Sequence, residues 1–143
     1  MMPLSVPNSR LLIVDDLEDN RRLLSRRFAR RGFETIEAES GTAALDLIGQ
    51  QNFDLVLLDI MMPGINGLEV LRRIRSRHSL ESLPVIMVTA KVFSEDIVEA
   101  LELGANDYII KPVDFSVAFL RVQTQLARKQ RQALNAIEFV LLD

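Results

Sequence analysis

Five polar residues of complementary chemistry stand where short apolar runs of this sequence stop. Asp15 and Asp16 directly follow the first run, and Asp59, Thr89 and Lys111 end later ones. Three carboxylates held close together repel one another unless a cation joins them. Mg²⁺ takes carboxylate oxygens and keeps several waters, while an ammonium suits a phosphoryl group. These residue types therefore predict Mg²⁺ and phosphoryl chemistry, provided that the fold brings them together.

Each of these residues has a simpler explanation when it is taken alone. An Asp after a strand is usually a turn or cap residue, and a Lys before Pro commonly lies in a solvated turn. The simpler explanation weakens because all five residues have complementary chemistry and each ends a predicted core strand. We therefore treat the set, rather than any single member, as the candidate site.

Short strands alternating with helices must position this set. Three runs of branched apolar residues have the length of strands that are covered on both faces. Another segment alternates apolar and polar residues, as an edge strand does. The predicted strands are 11–14, 33–38, 53–58, 85–88 and 108–110. Such alternation indicates βαβ units in a three-layer α/β fold, with the site beyond the carboxyl ends of the strands.

Apolar spacing and capping residues mark the helices. The first is indicated by Leu23, Leu24 and Phe28, with Gly32 just beyond its end. Capping residues begin three others, namely Ser40, Ser94 and Asp114. The fifth helix is expected to extend well beyond the fold because residues 116–143 contain no Gly or Pro. Apolar residues recur in it every seven positions, at Leu120, Ala127, Leu134 and Leu141, which favours a dimer seam or a connection to an output domain.

Composition limits the class of protein. The chain has 143 residues, 48% of them hydrophobic, no Cys and a formal net charge of −3. These values predict one globular domain and exclude a disulfide scaffold or a thiolate metal site. No apolar run has the length of a membrane span, and the mild acidity gives no reason for direct nucleic-acid binding. We expect a cytoplasmic protein with no membrane partner.

The strand ends also resemble a known family, the receiver domains of two-component response regulators. Four motifs carry the resemblance in the order of the family: residues 12–16 (LIVDD), 57–64 (LLDIMMPG) with Gly67, 88–90 (VTA) and 104–112 (GANDYIIKP). The resemblance covers residues 9–128 and implies a flavodoxin-like, doubly wound, five-stranded parallel sheet of order 2-1-3-4-5. Residues 1–8 are then expected to be a flexible N-terminus. Residues 129–143 are expected to be a helical extension or linker toward an output domain or a dimer seam.

This resemblance implies a role for each acidic residue of the set. Asp59 is similar to the phosphoacceptor, which takes its phosphoryl group from a sensor histidine kinase or a phosphotransfer protein. Asp16 and Asp59 resemble direct Mg²⁺ ligands, together with the backbone carbonyl of Met61, and Asp15 resembles the acid that holds the ion through water.

Other positions are implied to respond to the phosphoryl group. Lys111 is expected to pair with Asp59, Thr89 to hydrogen-bond the phosphoryl oxygens, and Tyr108 to turn inward as the switch aromatic. The bond between Lys111 and Pro112 is expected to be cis. The face formed by the fourth helix, fifth strand and fifth helix would then change and control a homodimer, a partner or a covalently linked output domain absent from this chain. Catalysis would be limited to the domain's own phosphorylation and dephosphorylation.

Two alternatives remain open from the sequence. A pseudo-receiver would bind partners without phosphorylation, although the intact polar set speaks against it. A Mg²⁺-dependent phosphatase of the haloacid dehalogenase type would need two acids spaced two apart on the first strand, whereas Asp15 and Asp16 are adjacent.

Neither Met61 nor Lys91, which flank the site in the family, can orient an attacking water, and this predicts a long-lived acyl phosphate.

Overall fold

A computed structural model describes residues 8–90 and 94–142, with the side-chain environment of all of these except Ser94 and residues 138–142. Strands and helices alternate along this part of the chain. The elements are β1 (Arg10–Val14), α1 (Glu18–Arg30), β2 (Glu34–Ala38), α2 (Gly41–Gln50), β3 (Leu55–Asp59), α3 (Gly67–Arg75), β4 (Val85–Thr89), α4 (Ser94–Leu103), β5 (Asp107–Ile110) and α5 (Phe115–Leu142). The predicted alternation is confirmed.

All strand pairs are parallel, and the strands lie in the order β2-β1-β3-β4-β5. The fold is therefore the expected doubly wound, flavodoxin-like sheet. β1, β3 and β4 are central and almost wholly buried, which explains their continuous apolar runs. β2 is an edge strand with one wetter face, as its alternating sequence predicts.

Two apolar layers cover the sheet because successive strand residues point to opposite faces. Leu12, Val56 and Met87 pack toward α2, α3 and α4 on one face. Leu11, Leu57 and Val88 pack toward α1 and α5 on the other. The carboxyl ends of the strands thus meet at one edge of the sheet, where the polar set lies.

The predicted cap at Ser40 is confirmed, whereas the buried face of α1 differs from expectation. The Ser40 side chain accepts a hydrogen bond from the backbone N of Ala43 at 3.1 Å, as an N-cap does. Leu23 is 54% exposed and does not join the core. Ser25 is buried instead, and its hydroxyl donates to Thr35 Oγ1 at 2.7 Å, because the helix turns residues 24, 25 and 28 toward the sheet.

The long final helix is confirmed, but its seven-residue pattern does not form a continuous exposed stripe. α5 has 28 residues and runs to Leu142. Leu120 and Leu134 are both 61% exposed, whereas Ala127 between them is 7% exposed and packs into the domain. The side chain of Leu141 lies outside the described residues. None of the described helices combines the length and apolar character required to cross a bilayer.

Arg75, the last residue of α3, anchors the start of β5. Its Nε donates to the Gly104 carbonyl at 2.7 Å, and its Nη2 donates to Asn106 Oδ1 at 2.8 Å. Nη1 donates to carbonyl oxygens of the loop before β4, the shortest of these bonds being 2.8 Å, to Leu83. Gly104 has a φ of +107° and leaves space for the Arg75 side chain, which a Cβ would crowd. Burial lowers the pKa of Arg75 to about 10.

Arg75→Lys is expected to lower the free energy of unfolding by about 2 to 3 kcal/mol, because an ammonium cannot reproduce the guanidinium fork and several part-buried acceptors lose a donor. Urea unfolding measures the loss. Arg77→Lys is the matched control, since Arg77 is exposed two residues away. Equal losses in the two variants would contradict the anchoring role.

Candidate functional site

Asp15 is fixed by the backbone around the end of β1. Its own N–H donates to the Ala38 carbonyl at 3.2 Å, and its Oδ1 accepts a hydrogen bond from the Leu17 N–H at 2.9 Å. The residue is 7% exposed, whereas Asp16 beside it is half-buried. The end of β1 therefore presents one buried carboxylate and one that is open to solvent.

Asp59 is the last residue of β3 and is only 3% exposed. Its Oδ1 accepts a hydrogen bond from the Met61 N–H at 3.1 Å. The loop that follows folds back closely, since a Cβ on Gly67 would overlap the Asp59 carbonyl oxygen and lie 2.7 Å from the Ile60 Cα. Glycine at position 67 thus allows α3 to start directly against the Asp59 backbone.

Lys111 brings a positive charge to both buried carboxylates. Its Nζ lies 3.0 Å from Asp59 Oδ2 and 3.3 Å from Asp15 Oδ2. The backbone holds this position, because the Lys111 N–H donates to the Thr89 carbonyl at 2.7 Å. The bond between Lys111 and Pro112 is cis. One ammonium therefore joins the ends of β1 and β3 from the loop after β5.

The charges in this cluster change one another's protonation. Burial raises the pKa of Asp59 above its ordinary value, and the charge of Asp15 adds to the rise, although the hydrogen bond from Lys111 opposes it. Burial alone would lower the pKa of Lys111, but the hydrogen bond and charge of Asp59, together with Asp15, raise it above its ordinary value. Within the described part of the chain, the negative charges of this cluster thus outnumber its positive ones.

The donor set suits a hard divalent cation. Asp15, Asp16 and Asp59 each offer a carboxylate oxygen, and these oxygens lie within 4.8 Å of one another. Among the described residues, these three carboxylates and the ammonium of Lys111 leave a local excess of negative charge, and oxygen ligands of this kind are those that Mg²⁺ prefers. This arrangement can hold the ion while Lys111 keeps its contact with Asp59.

The structure places Thr89 at the same end of the sheet, whereas Tyr108 lies two residues before the carboxyl end of β5. Asp59 pairs with Val88 in the parallel register, so Thr89 is one residue beyond it on the neighbouring strand, and it is buried. Tyr108 is half-buried on the edge strand and has the guanidinium of Arg121 over its ring. Sequence reasoning did not select Arg121, and no local pattern marks it, because the contact depends on how α5 packs on β5.

Apolar side chains and a cavity border the charged cluster. Met61 is 55% exposed beside Asp59, and Leu17 is exposed beside Asp16. A cavity of about 550 Å³ extends from Asp15 and Lys111 between α1 and the segment that leads into α5. Leu23, Leu24 and Arg27 form its α1 wall, a feature that sequence reasoning also missed. Lys91, the other flanking position, lies outside the described residues.

Known proteins resemble this chain in sequence and in fold. Residues 11–123 match the sequence model of the response regulator receiver domain. The chain is 39% identical over 129 residues to the transcriptional regulatory protein AfsQ1 of Streptomyces coelicolor, covering 90% of this chain and 56% of that protein. It therefore spans about half the length of this relative.

Shorter relatives match over most of their length. The chemotaxis protein CheY of Pseudomonas aeruginosa is 41% identical over 104 residues, covering 72% of this chain and 84% of that protein. The crystal structure of the response regulator TrrA of Thermotoga maritima, in complex with Mg²⁺–BeF, aligns with a TM-score of 0.74 and 34% identity. That alignment covers 82% of this chain and 98% of the other.

Asp59→Asn is expected to raise the free energy of unfolding of the metal-free protein at neutral pH. The pKa of Asp59 is higher in the folded chain than its ordinary value of 3.8, so folding disfavours the ionised form. This cost develops as the pH rises from the ordinary value through the raised one. Asn has nearly the same shape and carries no charge. Urea unfolding in the presence of a chelator measures the difference.

The gain should shrink as the pH falls below the raised pKa of Asp59, because the wild-type carboxyl is then protonated as well. Asp46→Asn on the exposed face of α2 is the control. A gain that persists in acid, or one that is equal in both variants, would show that burial of the Asp59 charge is not its cause.

Proposed function

Because the chain belongs to the response regulator receiver domain family, we propose that it is a phosphorylation-dependent switch of a two-component system and that Asp59 is its phosphoacceptor. The observation that carries the proposal is the contact of Lys111 Nζ with Asp59 Oδ2 at 3.0 Å, within a cluster of three aspartates. The donor is a sensor histidine kinase or a phosphotransfer protein, which implies a cytoplasmic location.

The acidic cluster is proposed to hold Mg²⁺. Asp16 and Asp59 would be the direct carboxylate ligands, the backbone carbonyl of Met61 would be a third, and Asp15 would hold the ion through water. The ion neutralises negative charge on the carboxylates and on the incoming phosphoryl group when it is bound. Support comes from the spacing of the three carboxylates, and the related TrrA structure contains Mg²⁺ with BeF.

The residues of this chain perform the remaining work of the transfer. Asp59 attacks the phosphorus of the donor's phosphohistidine with a carboxylate oxygen, so a P–O bond forms as the P–N bond breaks. Lys111 already lies against Asp59 and neutralises charge as the phosphoryl group arrives. Thr89 donates its hydroxyl to a phosphoryl oxygen. Phosphoryl transfer depends mostly on such positioning and charge stabilisation, so no further catalytic group is required.

The cavity beside the cluster is the proposed docking site of the phosphodonor. It opens next to Asp15 and Lys111, and its α1 wall includes Leu23, whose side chain is largely exposed. Arg26 and Arg30 are exposed farther along α1, whereas Arg31 stacks on Phe119 with its guanidinium carbon 4.6 Å from the ring centroid. A donor helix can therefore contact apolar side chains near the site and arginines beyond it.

Phosphorylation is proposed to change the face formed by α4, β5 and α5. This face presents apolar side chains to solvent, and these are Val98, Leu101, Ile110, Val117 and Leu120. Phosphorylated aspartate carries nearly two negative charges, and the responses of Thr89 and Tyr108 transmit the change. The face would control a homodimer, a partner or an output domain, with residues 9–128 as the receiver and 129–143 as the connecting extension.

The alternative, a pseudo-receiver that binds partners without phosphorylation, is less well supported. Such a protein has no need of an ammonium shared by two buried carboxylates. Burying Asp15 and Asp59 carries a desolvation cost, and function explains why the chain retains both.

Incubation with acetyl phosphate and Mg²⁺ tests the proposed phosphoacceptor. Wild type and the control Asp46→Asn are expected to gain the mass of one phosphoryl group, and Asp59→Asn is expected to gain none. Intact-mass spectrometry measures the modification and size-exclusion chromatography the assembly. No gain by the wild type would refute phosphorylation and leave the pseudo-receiver. Modification without a change in assembly would exclude the homodimer alone.

Mg²⁺ is expected to stabilise the fold, because it binds the native cluster and not the unfolded chain. At about 100 times its dissociation constant, the free energy of unfolding should rise by about 2.7 kcal/mol. Thermal unfolding with and without Mg²⁺ measures the rise. Asp16→Asn should lose most of it, whereas Asp19→Asn, on the exposed first turn of α1, should keep it. Equal stabilisation of both variants would place the ion elsewhere.

A further inference from the structure

Tyr108 is partly covered by an arginine from another element of the fold. The guanidinium carbon of Arg121, on α5, lies 5.7 Å from the centroid of the Tyr108 ring, within the range of a cation–π contact. The ring is half-buried and packs against the core layer shared with α3 and α4. Arg121 therefore connects the edge strand β5 to the long final helix.

Asp107 fixes this guanidinium in place. Its Oδ1 accepts a hydrogen bond from Arg121 Nη1 at 2.8 Å and another from the Tyr108 N–H at 2.8 Å. A single carboxylate oxygen thus joins the start of β5, the backbone of Tyr108 and α5. We refer to Asp107, Tyr108 and Arg121 as the Arg121 latch.

The latch is only weakly stabilised, which is what a reversible element requires. Arg121 Nε is buried and has no hydrogen-bond partner among residues 8–90 and 94–142. A buried donor without a partner costs free energy and offsets part of the gain from the ion pair and the cation–π contact. The pair itself is partly exposed, and such pairs contribute modestly. A small margin of this kind can be overcome by a ligand that favours the other arrangement.

The backbone that enters β5 is held separately. Arg75 bonds to the Gly104 carbonyl and to Asn106 Oδ1, which also accepts the Val85 N–H at 2.8 Å. The residues before Asp107 are thus anchored to α3 and β4. None of these hydrogen bonds involves the side chain of Tyr108 or Arg121.

We propose that Arg121 is a positioning residue that holds Tyr108 in the half-buried arrangement seen here and thereby opposes the phosphorylated arrangement, in which Tyr108 turns inward. The inference rests on the proposed function, because the inward turn is the response to a phosphoryl group on Asp59. Opening of the latch frees Arg121 on α5, so the state of Asp59 is coupled to the helix that leaves the domain.

Tyrosine emission can follow this element without a label. Tyr108 is the sole tyrosine of the chain, which has no tryptophan, so the signal comes from this ring alone. Arg121→Met removes the cation and keeps most of the side-chain length. Arg131→Met is the matched control, since Arg131 is exposed on the same helix and forms no ion pair within the described part of the chain.

Two measurements distinguish a residue that holds Tyr108 in one arrangement from a residue that only shields its ring from solvent. The first is acrylamide quenching of Tyr108 without ligand. The second is the beryllofluoride concentration that half-saturates the emission change in excess Mg²⁺, beryllofluoride being a mimic of the phosphoryl group. For Arg121→Met we expect reduced quenching, because more of the population has Tyr108 turned inward. We also expect a half-saturating concentration lower by about three- to tenfold, because less of the binding free energy is spent on opening the latch.

A mere covering role predicts the opposite result for quenching, which would increase when the guanidinium is removed. Asp107→Asn provides a second variant that is independent of whether Arg121→Met folds. It keeps an oxygen for the Tyr108 N–H but loses the charge that holds Arg121, so both measurements should move in the same directions. Arg121→Lys should restore part of the wild-type behaviour.

The outcomes distinguish this inference from the proposed function. If the wild type responds to beryllofluoride but Arg121→Met and Asp107→Asn match Arg131→Met, the latch is wrong and the phosphoacceptor stands. The same holds if the wild type gains phosphoryl mass without any change in Tyr108 emission. If the wild type neither gains mass nor responds, both proposals are overturned.

Discussion

The structure depends on the electrostatic pairing of two buried carboxylates with one ammonium. Asp15 and Asp59 are almost wholly removed from solvent, and charges in such positions must be paired or must bind a cation. Lys111 supplies the pairing from a loop that follows the last strand. The parallel sheet makes this possible because it brings the ends of β1, β3 and β5 to one edge. The same residues leave an excess of negative charge, so the cluster is suited to a divalent cation and to a phosphoryl group with its own charge.

The carboxyl ends and the amino ends of the strands contribute differently to the structure. At the carboxyl ends of the strands, the close approach at Gly67 and the backbone hydrogen bond from Lys111 to Thr89 fix the positions of Asp59 and Lys111. At the amino edge of β4 and β5, Arg75 and Asn106 join the loops into one network. A switch needs a rigid frame of this kind, because a local change is transmitted only if the surrounding backbone does not yield to it. Tyr108 on β5 and Arg121 on α5 are in contact where this frame meets the final helix.

Much of the fold was predictable from the sequence because the relevant signals are local. The buried strands are continuous apolar runs, the edge strand β2 alternates, and Ser40 caps α2 as its type suggests. Predictions about which helix residues face the core were less accurate. Leu23 fits the apolar spacing of α1 but is exposed, and Ala127 interrupts the seven-residue pattern of α5 by packing into the domain. A helix pattern shows that one side is apolar, whereas the packing partner decides which residues that side includes.

The sequence by itself determined the chemistry of the candidate site. Carboxylates, a hydroxyl and an ammonium follow predicted strands, and parallel strands place their carboxyl ends together, so the convergence of these groups follows from chain order and alternation. Only the tertiary structure decided which groups touch. Lys111 reaches Asp59 across 52 positions and Asp15 across 96, and Arg121 covers Tyr108 through the packing of α5 against an edge strand. Contacts of this kind depend on the relative placement of elements that are distant in the chain, because side-chain geometry is set by packing and not by local spacing.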